Sequence, residues 1–357
     1  MIVVLERIKK MKGYLLKSTS IQNVLRFFQN NENKTCLILN DDKTIYGFIN
    51  DEDLREYLSN KTNLISTFKC FITSKTIFAK DFTSDEELIK IMKSNNIDVI
   101  PIVDKNMKCK EVKYLNRISK NKLRSSKNNF DFAVIMAGGI GKRLLPLTKN
   151  TPKSLIKVND RTILERQIEY MVKKNIKNIY ISINYLGHII TKHIGSGKEL
   201  NANINYIYED KSLDTAGALS LIKGLPKKPI LIINGDILTN LDYDIFYNHH
   251  MKTKSDITVG SIPLSHDVPY GVIDIDDKFN IRSIKEKPQY NYLCNAGVYI
   301  FSPEVLNLMK DSKKISMTDF IEYCISKGLK ITTFPIYEKW YDIGNIKDLK
   351  KAEMDSF

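Results

Sequence analysis

The chain has one tryptophan and five cysteines in 357 residues, 41 acidic side chains against 55 basic ones, and no long uninterrupted apolar run. Each shortage excludes something. Cys36, Cys70, Cys109, Cys294 and Cys324 form no CxxC pair, which rules out a cysteine metal centre and a disulfide framework. An odd, scattered set reads as reduced thiols in a cytoplasmic protein. No stretch approaches the roughly 18 apolar residues of a membrane span. The apolar run after Met1 stops at Glu6, too short for a signal-peptide core. The deficit of acids leaves a net charge of +14, but the lysines are spread along the chain rather than massed, as on a solvated surface. No zinc-ligand spacing, helix-turn-helix pattern or aromatic RNA-binding strand accompanies them, so a nucleic-acid partner is not expected.

What is present supports folded domains. Apolar residues make up 43% of the chain, enough for real cores, and the length accommodates two domains. The boundary falls in Ser119–Asn129, SKNKLRSSKNN, a polar, basic stretch without apolar period. This predicts a smaller α+β domain over 1–120, a linker over 121–129 and a larger α/β domain over 130–357.

The first domain contains a weak internal repeat: VLRFFQNNENKTCLILND (24–41) resembles LIKIMKSNNIDVIPIVDK (88–105). Each is a short amphipathic helix, a polar turn and an apolar strand ending in Asp41 or Asp104. The first copy continues as YGFINDEDLREYL (46–58), a strand running into a capped helix. The arrangement is similar to a tandem pair of CBS (cystathionine-β-synthase-type, or Bateman) modules. The resemblance implies a regulatory domain that binds an adenine nucleotide beyond Gly47, through Asn50 and Asp53, with Asn in place of the usual Thr/Ser. Lys110 and Asn116 stand at the corresponding places of the second copy, which implies a lost ligand turn. Without the resemblance, Asn50 is an N-cap and Asp53 part of a helix start. A homo-oligomer is expected.

The second domain alternates. Phe132–Ala137, Ile179–Ile183, Ile204–Tyr208 and the continuous run PILIIN (229–234) read as strands; 162–174 and 214–223 (DTAGALSLIK) read as helices, the latter capped by Asp214. Continuous apolar strands are buried on both faces, as in a Rossmann-like, mostly parallel sheet wrapped by helices. Right-handed crossovers then bring the C-terminal strand ends to one edge, where ligands sit.

At that edge the first strand runs into AGGIGKR, Ala137 to Arg143. Glycines 138, 139 and 141 let backbone N–H groups curl around an anion, and Arg143 adds a planar cation suited to phosphate. Neither a P-loop nor GxGxxG is present. Arg143-Leu-Leu-Pro-Leu-Thr148 and Pro152-Lys153-Ser-Leu155 complete a stretch that resembles the signature of sugar-1-phosphate nucleotidylyltransferases, with Lys142 where Thr/Ser is usual. The resemblance implies NTP binding by 137–143, Arg143 included, and an α-phosphate contact from Lys153. It implies Mg²⁺ held by Asp236 of INGD and Asp342 of WYDIGN, and names Arg143, Lys153 and Asp236 as the catalytic set. It places Glu209, Thr215 and Gly217 at the base, with Asp214 where Gly is usual. A carboxylate at Glu209 accepts from guanine N1–H and N2–H₂, which favours GTP over UTP, CTP or dTTP. Tyr270, Gly271, Glu286, Lys287 and Asn295 match the sugar 1-phosphate stations. The implied activity is Mg²⁺-dependent transfer of a nucleoside monophosphate to a hexosamine or mannose 1-phosphate, for surface-glycan or nonulosonate precursors. The rivals are a glycosyltransferase, which lacks need of this loop, and a non-catalytic nucleotide sensor, which lacks need of the intact Lys153, Asp236 and Asp342.

Overall fold

The computed structural model describes residues 14–30, 35–51, 54–55, 77–95, 97–115, 129–139, 141–309 and 314–355. The chain separates into two compact units, Met1–Ser125 and Ser126–Phe357.

In the first unit, β1 (Tyr14–Leu16), α1 (Ile21–Asn30), β2 (Thr35–Leu39) and β3 (Ile45–Asn50) precede β4 (Ala79–Lys80), α2 (Asp85–Ser94), β5 (Val99–Val103) and β6 (Cys109–Tyr114). Both halves have one connectivity: a parallel pair, β1–β2 or β4–β5, then an antiparallel pair, β2–β3 or β5–β6. The second half follows the first by 64 residues (Ile21 to Asp85, Thr35 to Val99, Ile45 to Cys109). Even the bulge recurs, after Ile38 and after Ile102. This register corrects one expectation. Ile38 pairs Gly47 and Ile102 pairs Glu111; Thr35 pairs Asn50 and Val99 pairs Tyr114. Glu111, not Lys110, is therefore the counterpart of Gly47, because strand pairing rather than residue likeness sets equivalence. Asn50 ends β3. Next to it, Asp51 is buried and accepts from Arg55 Nε at 2.8 Å and Nη2 at 3.2 Å. Asp53 and Asn116 lie outside the described residues.

In the second unit, β7 (Ala133–Met136) is followed by the hairpin β8 (Lys157–Val158) and β9 (Arg161–Thr162), α3 (Ile163–Lys173), β10 (Asn178–Ile183), α4 (Gly187–Ile194) and β11 (Asn203–Tyr208). Next come α5 (Asp214–Gly217), β12 (Ile230–Asn234), β13 (Ile237–Thr239), α6 (Tyr243–Thr253) and β14 (Ile257–Asp267). The chain ends with β15 (Val272–Ile275), β16 (Ile281–Lys285), β17 (Gln289–Phe301), α7 (Met317–Ser326), β18 (Ile331–Pro335), β19 (Trp340–Asp342) and α8 (Ile346–Met354). The central sheet runs β11-β10-β7-β12-β17-β14-β18. Its first four strands are mutually parallel, and β17 alone runs against its neighbours.

Both faces of the sheet are covered, which explains the unbroken apolar strands. Ala133 and Ile135 point to one core with Leu164, Ile168 and Met171 of α3 and Phe246 of α6. Val134 and Ile232 point to the other, with Met317, Phe320 and Cys324 of α7. Thr162 caps α3 in a reciprocal box with Glu165, tying down two orphan N–H groups.

The expected helix over 214–223 is instead one α turn, α5, followed by a 3-10 turn, Ala218–Leu221. Asp214 is not its cap: Asp214 takes φ +67°, and the Ala216 and Gly217 N–H groups both donate to Ile315 O. That outside acceptor takes the place of an N-cap, so the segment has no regular start from which to propagate. Among the described residues, no helix is long and apolar enough to cross a membrane.

Candidate functional site

Four parallel strands deliver the site's parts. β7 opens into the glycine turn, β10 into Asn184, β11 into Glu209 and β12 into Gly235-Asp236. Between them lies a cavity of roughly 190 Å³ lined by Ala137, Gly138, Gly139, Lys153, Glu209, Thr215 and Asp236. Met136, Ser154, Ser212, Asp214, Asn234 and Gly235 complete the wall.

The glycine turn is glycine for packing reasons. A Cβ on Gly138 would lie 2.8 Å from Glu209 Oε1. Gly141 has φ +69°, and a Cβ there would lie 3.0 Å from Thr148 Cγ2 and 3.1 Å from Lys153 Cβ. Thr148 Oγ1 donates to Gly141 O at 2.9 Å, pinning the turn to the segment that leads to Lys153. Lys142 opens a 3-10 turn, Lys142–Leu144; its side chain lies outside what is described. Leu144 is buried in a small separate core with Leu238, Tyr341, Ile343 and Leu349. That core ties the turn to β13, β19 and α8.

This packing explains how two carboxylates 106 positions apart in the chain (Asp236, Asp342) meet. β13 and β19 pair antiparallel with Ile237 opposite Asp342, and Ile343 N–H donates to Asp236 O at 3.0 Å. Lys153 sits between them. Its ammonium is ion-paired to Asp236 and lies 3.8 Å from Asp342 Oδ1. Burial pushes the Asp342 carboxyl above its ordinary range, and Asp236 adds to this. Lys153 and Arg143 oppose it. Asp342 Oδ1 is buried with no hydrogen-bond partner. The Arg143 guanidinium lies close to Gly344, where a Cβ would fall 3.4 Å from Nη2. Asp236 and Asp342 are the carboxylates able to hold a divalent cation; among the described residues no cluster of three or more His, Cys, Asp or Glu exists.

Glu209 is held from three sides. Ser182 Oγ donates to Oε1 at 2.5 Å, Leu213 N–H to Oε2 at 2.9 Å, and Asn184 Nδ2 to the Glu209 carbonyl at 2.7 Å. Each carboxylate oxygen keeps acceptor capacity. Thr215 Oγ1 accepts from Met317 N–H at 2.8 Å, and Gly217 is buried beneath it.

The residues expected at the sugar 1-phosphate stand apart from this cavity. Tyr270, Gly271, Glu286, Lys287 and Asn295 are exposed, on the ribbon of β14 and β17 and around the hairpin β15–β16. Gly271 and Glu286 do meet: a Cβ on Gly271 would lie 3.0 Å from Glu286 Oε2. Lys287 takes φ +42°. Asn295 Oδ1 accepts from Gly297 N–H at 2.9 Å, and a Cβ on Gly297 would lie 2.7 Å from Asn234 Nδ2. Asn295 is thus the member that leads toward the cavity.

Sequence reasoning passed over Ser154 and Asn234. Both line the cavity, and Ser154 Oγ and Asn234 Oδ1 are buried without a hydrogen-bond partner. The one signal was adjacency, to Lys153 and to the Gly235-Asp236 turn.

The family of nucleotidyl transferases matches residues 132–356. The chain belongs to that family. Among its curated relatives, the mannose-1-phosphate guanylyltransferase catalytic subunit beta of Drosophila melanogaster is 28% identical over 222 residues, 60% of each chain. The bifunctional protein GlmU of Methanococcus aeolicus is 32% identical over 231 residues, 62% of this chain and 53% of that one. The chain thus spans about 60% of the length of the first of these relatives. A crystal structure of a Bacillus anthracis protein assigned as a glucose-1-phosphate thymidylyltransferase, holding sucrose, covers 63% of this chain and 94% of its own. Its TM-score is 0.50 at 24% identity, which shows the shared nucleotidyl transferase fold.

Proposed function

We propose that the chain transfers a nucleoside monophosphate from a nucleoside triphosphate, GTP by preference, to a sugar 1-phosphate. The observation that carries this reading is the convergence of Lys153 with Asp236 and Asp342 beside the glycine turn. A phosphate oxygen of the sugar 1-phosphate attacks the α-phosphorus, forming the new P–O bond. The bond from that phosphorus to the bridging oxygen of the β-phosphate breaks, and pyrophosphate leaves with the electron pair. No covalent enzyme intermediate is needed, so no nucleophile–base pair is required of the chain.

The difficulty is charge. Two like charges at about 4 Å repel by on the order of 4 kcal/mol at an effective dielectric near 20. In this reading Lys153 neutralises the α-phosphate, Arg143 and the backbone amides of Gly138, Gly139 and Gly141 hold the outer phosphates, and Lys287 holds the sugar phosphate. Rate comes from positioning and preset charge. Magnesium fits the carboxylate pair: Asp342 Oδ1 accepts no hydrogen bond, and this hard cation takes one or two carboxylates together with substrate phosphates. When bound it supplies neutralisation of the charge on the phosphate oxygens.

Guanine is favoured because Glu209 is fixed as a pure acceptor against Gly138, and guanine offers two adjacent donors. The relative named as a mannose-1-phosphate guanylyltransferase supports mannose 1-phosphate as acceptor, with hexosamine 1-phosphates next, for surface-glycan or nonulosonate precursors made in the cytoplasm. A pyrophosphate-release screen of GTP, UTP, CTP, dTTP and ATP against a panel of sugar 1-phosphates tests this. GTP with mannose 1-phosphate should give the highest kcat/KM. Turnover with another base would overturn the guanine assignment alone, and binding without release from any pair would leave a nucleotide sensor in place of an enzyme.

For the first unit, the repeated halves support a CBS-type regulatory module taking an adenine nucleotide near Asn50 and Asp53, in a chain that self-associates. Calorimetry with AMP and ATP should show binding heat; none from either overturns it.

A further inference from the structure

α3 runs beside the segment that carries Asp236. Gln167, Tyr170 and Lys174 share one helix face, at spacings of three and four. Each holds that segment. Gln167 Nε2 donates to Asn234 O at 2.8 Å and to Ile237 O at 2.7 Å. Tyr170 Oη donates between Asn240 O at 3.1 Å and Leu241 O at 3.0 Å, and Lys174 Nζ reaches Asp242 at 3.2 Å.

Gln167 differs from the other two. It is only 4% exposed. Its two N–H bonds go to the carbonyls on either side of Gly235-Asp236, so one amide bridges the turn. Its Oε1 is buried with no hydrogen-bond partner. Exchanging Oε1 and Nε2 would set an oxygen against two carbonyl oxygens, so the acceptors decide the orientation. An unpaired buried oxygen is a cost that leucine or methionine would avoid at similar volume. What the glutamine adds is two donors at fixed separation, set across the turn that presents the carboxylate.

We propose that Gln167 is a positioning residue for Asp236, holding the turn at the spacing that keeps this carboxylate beside Lys153 and Asp342. The proposal rests on the nucleotidyl-transfer reading above. Gln167 does not line the cavity; it acts through the two carbonyls.

Gln167→Met keeps the volume and removes both donors. Its kcat should fall by roughly 10- to 100-fold, the scale of a small misplacement of a reacting group. The KM for the nucleotide, set by the glycine turn and Glu209, should stay within about threefold, and the Mg²⁺ needed for half-maximal rate should rise. Gln167→Glu keeps the shape as well. Ionised, it sets a carboxylate against two carbonyls; protonated, it regains one donor, and burial raises its pKa toward the assay range. Its rate relative to wild type should therefore climb as pH falls from about 8 to about 6. Compared at equal folded fraction at each pH, a merely structural role produces no such pH-dependent deficit. Wild-type-like kcat in Gln167→Met at equal folded fraction, or a Gln167→Glu deficit flat across pH, overturns the proposal; if the Met variant fails to fold, the Glu profile decides alone. Wild-type protein in the same assay separates the two failures: no pyrophosphate release from it overturns the nucleotidyl-transfer reading and this proposal together, whereas wild-type turnover that neither variant perturbs overturns this proposal only.

Discussion

β7, β10, β11 and β12 stop at the rim of the sheet and pass into turns whose polar groups are tied down. β14 and β17 run past it: Ser261 to Asp267 pairs Asn295 to Gln289 as a ribbon beyond the core. Around the cavity, Glu209 is held by Ser182, Leu213 and Asn184, and the Asp236 turn by Gln167 and Ile343. On the ribbon, Leu264, Tyr270 and Tyr292 are 51%, 75% and 54% exposed. The contrast teaches where specificity can be preset. In the proposed reading the nucleotide meets a hydrogen-bonded socket, and the sugar 1-phosphate supplies its own ordering energy by covering an open arm.

Variants can break or sharpen this contrast. The largest effect is expected from Asp236→Ala, which should remove metal-dependent turnover in a pyrophosphate-release assay; retained rate and Mg²⁺ response would dissolve the distinction between a charged socket and an open arm. Lys153→Ala should cost at least about 10² in kcat, as for other preset electrostatic groups, with near-normal turnover counting against its role. Gly138→Ala should act through crowding. Its Cβ would press on a carboxylate that can move only by giving up its bonds from Ser182 and Leu213, raising the KM for GTP by roughly tenfold, about the effect of 1.4 kcal/mol, and narrowing the preference over UTP. On the arm, Glu286→Gln should raise only the KM for the sugar 1-phosphate, by about three- to tenfold, since each hydrogen bond to an exposed group is worth on the order of 1 kcal/mol. An equal loss in nucleotide binding would mean the two sides are coupled.

The last effect concerns stability at the root of the arm. His250 is buried, with Nδ1 2.8 Å from Thr258 Oγ1 and Nε2 3.1 Å from Ser302 Oγ. Burial pushes its pKa down to about 4, with His249 contributing. The unfolded chain then binds a proton that the folded one refuses. Stability should be full above about pH 6.5, fall as pH drops, and level off below about 4, a loss of up to roughly 3 kcal/mol. His250→Gln should flatten that slope in denaturant titrations at pH 5 and 7 and leave kcat at pH 7.5 unchanged.

Local pattern alone located β7 and β12, because strands covered on both faces are apolar throughout and such runs are conspicuous, and it also located β10 and the edge strand β11, whose Asn203, Asn205 and Tyr208 are exposed. It located the glycine turn for the same kind of reason: close approach to Glu209 and the positive φ of Gly141 leave little room for any other residue. It misjudged 214–223, where the backbone partner of the first turn is Ile315, far along the chain. It also misassigned the counterpart of Gly47, since pairing and the repeated bulge set that register.

Composition and order along the chain, then, determined two units, a buried parallel sheet and a cation-flanked anion cradle at its edge, since burial and backbone freedom are written residue by residue. Tertiary structure alone decided that Asp236 meets Asp342, that Lys153 lies between them, and that Gln167 braces the turn. Those contacts join segments many tens of residues apart, and their geometry is set by strand pairing and by the small core around Leu144.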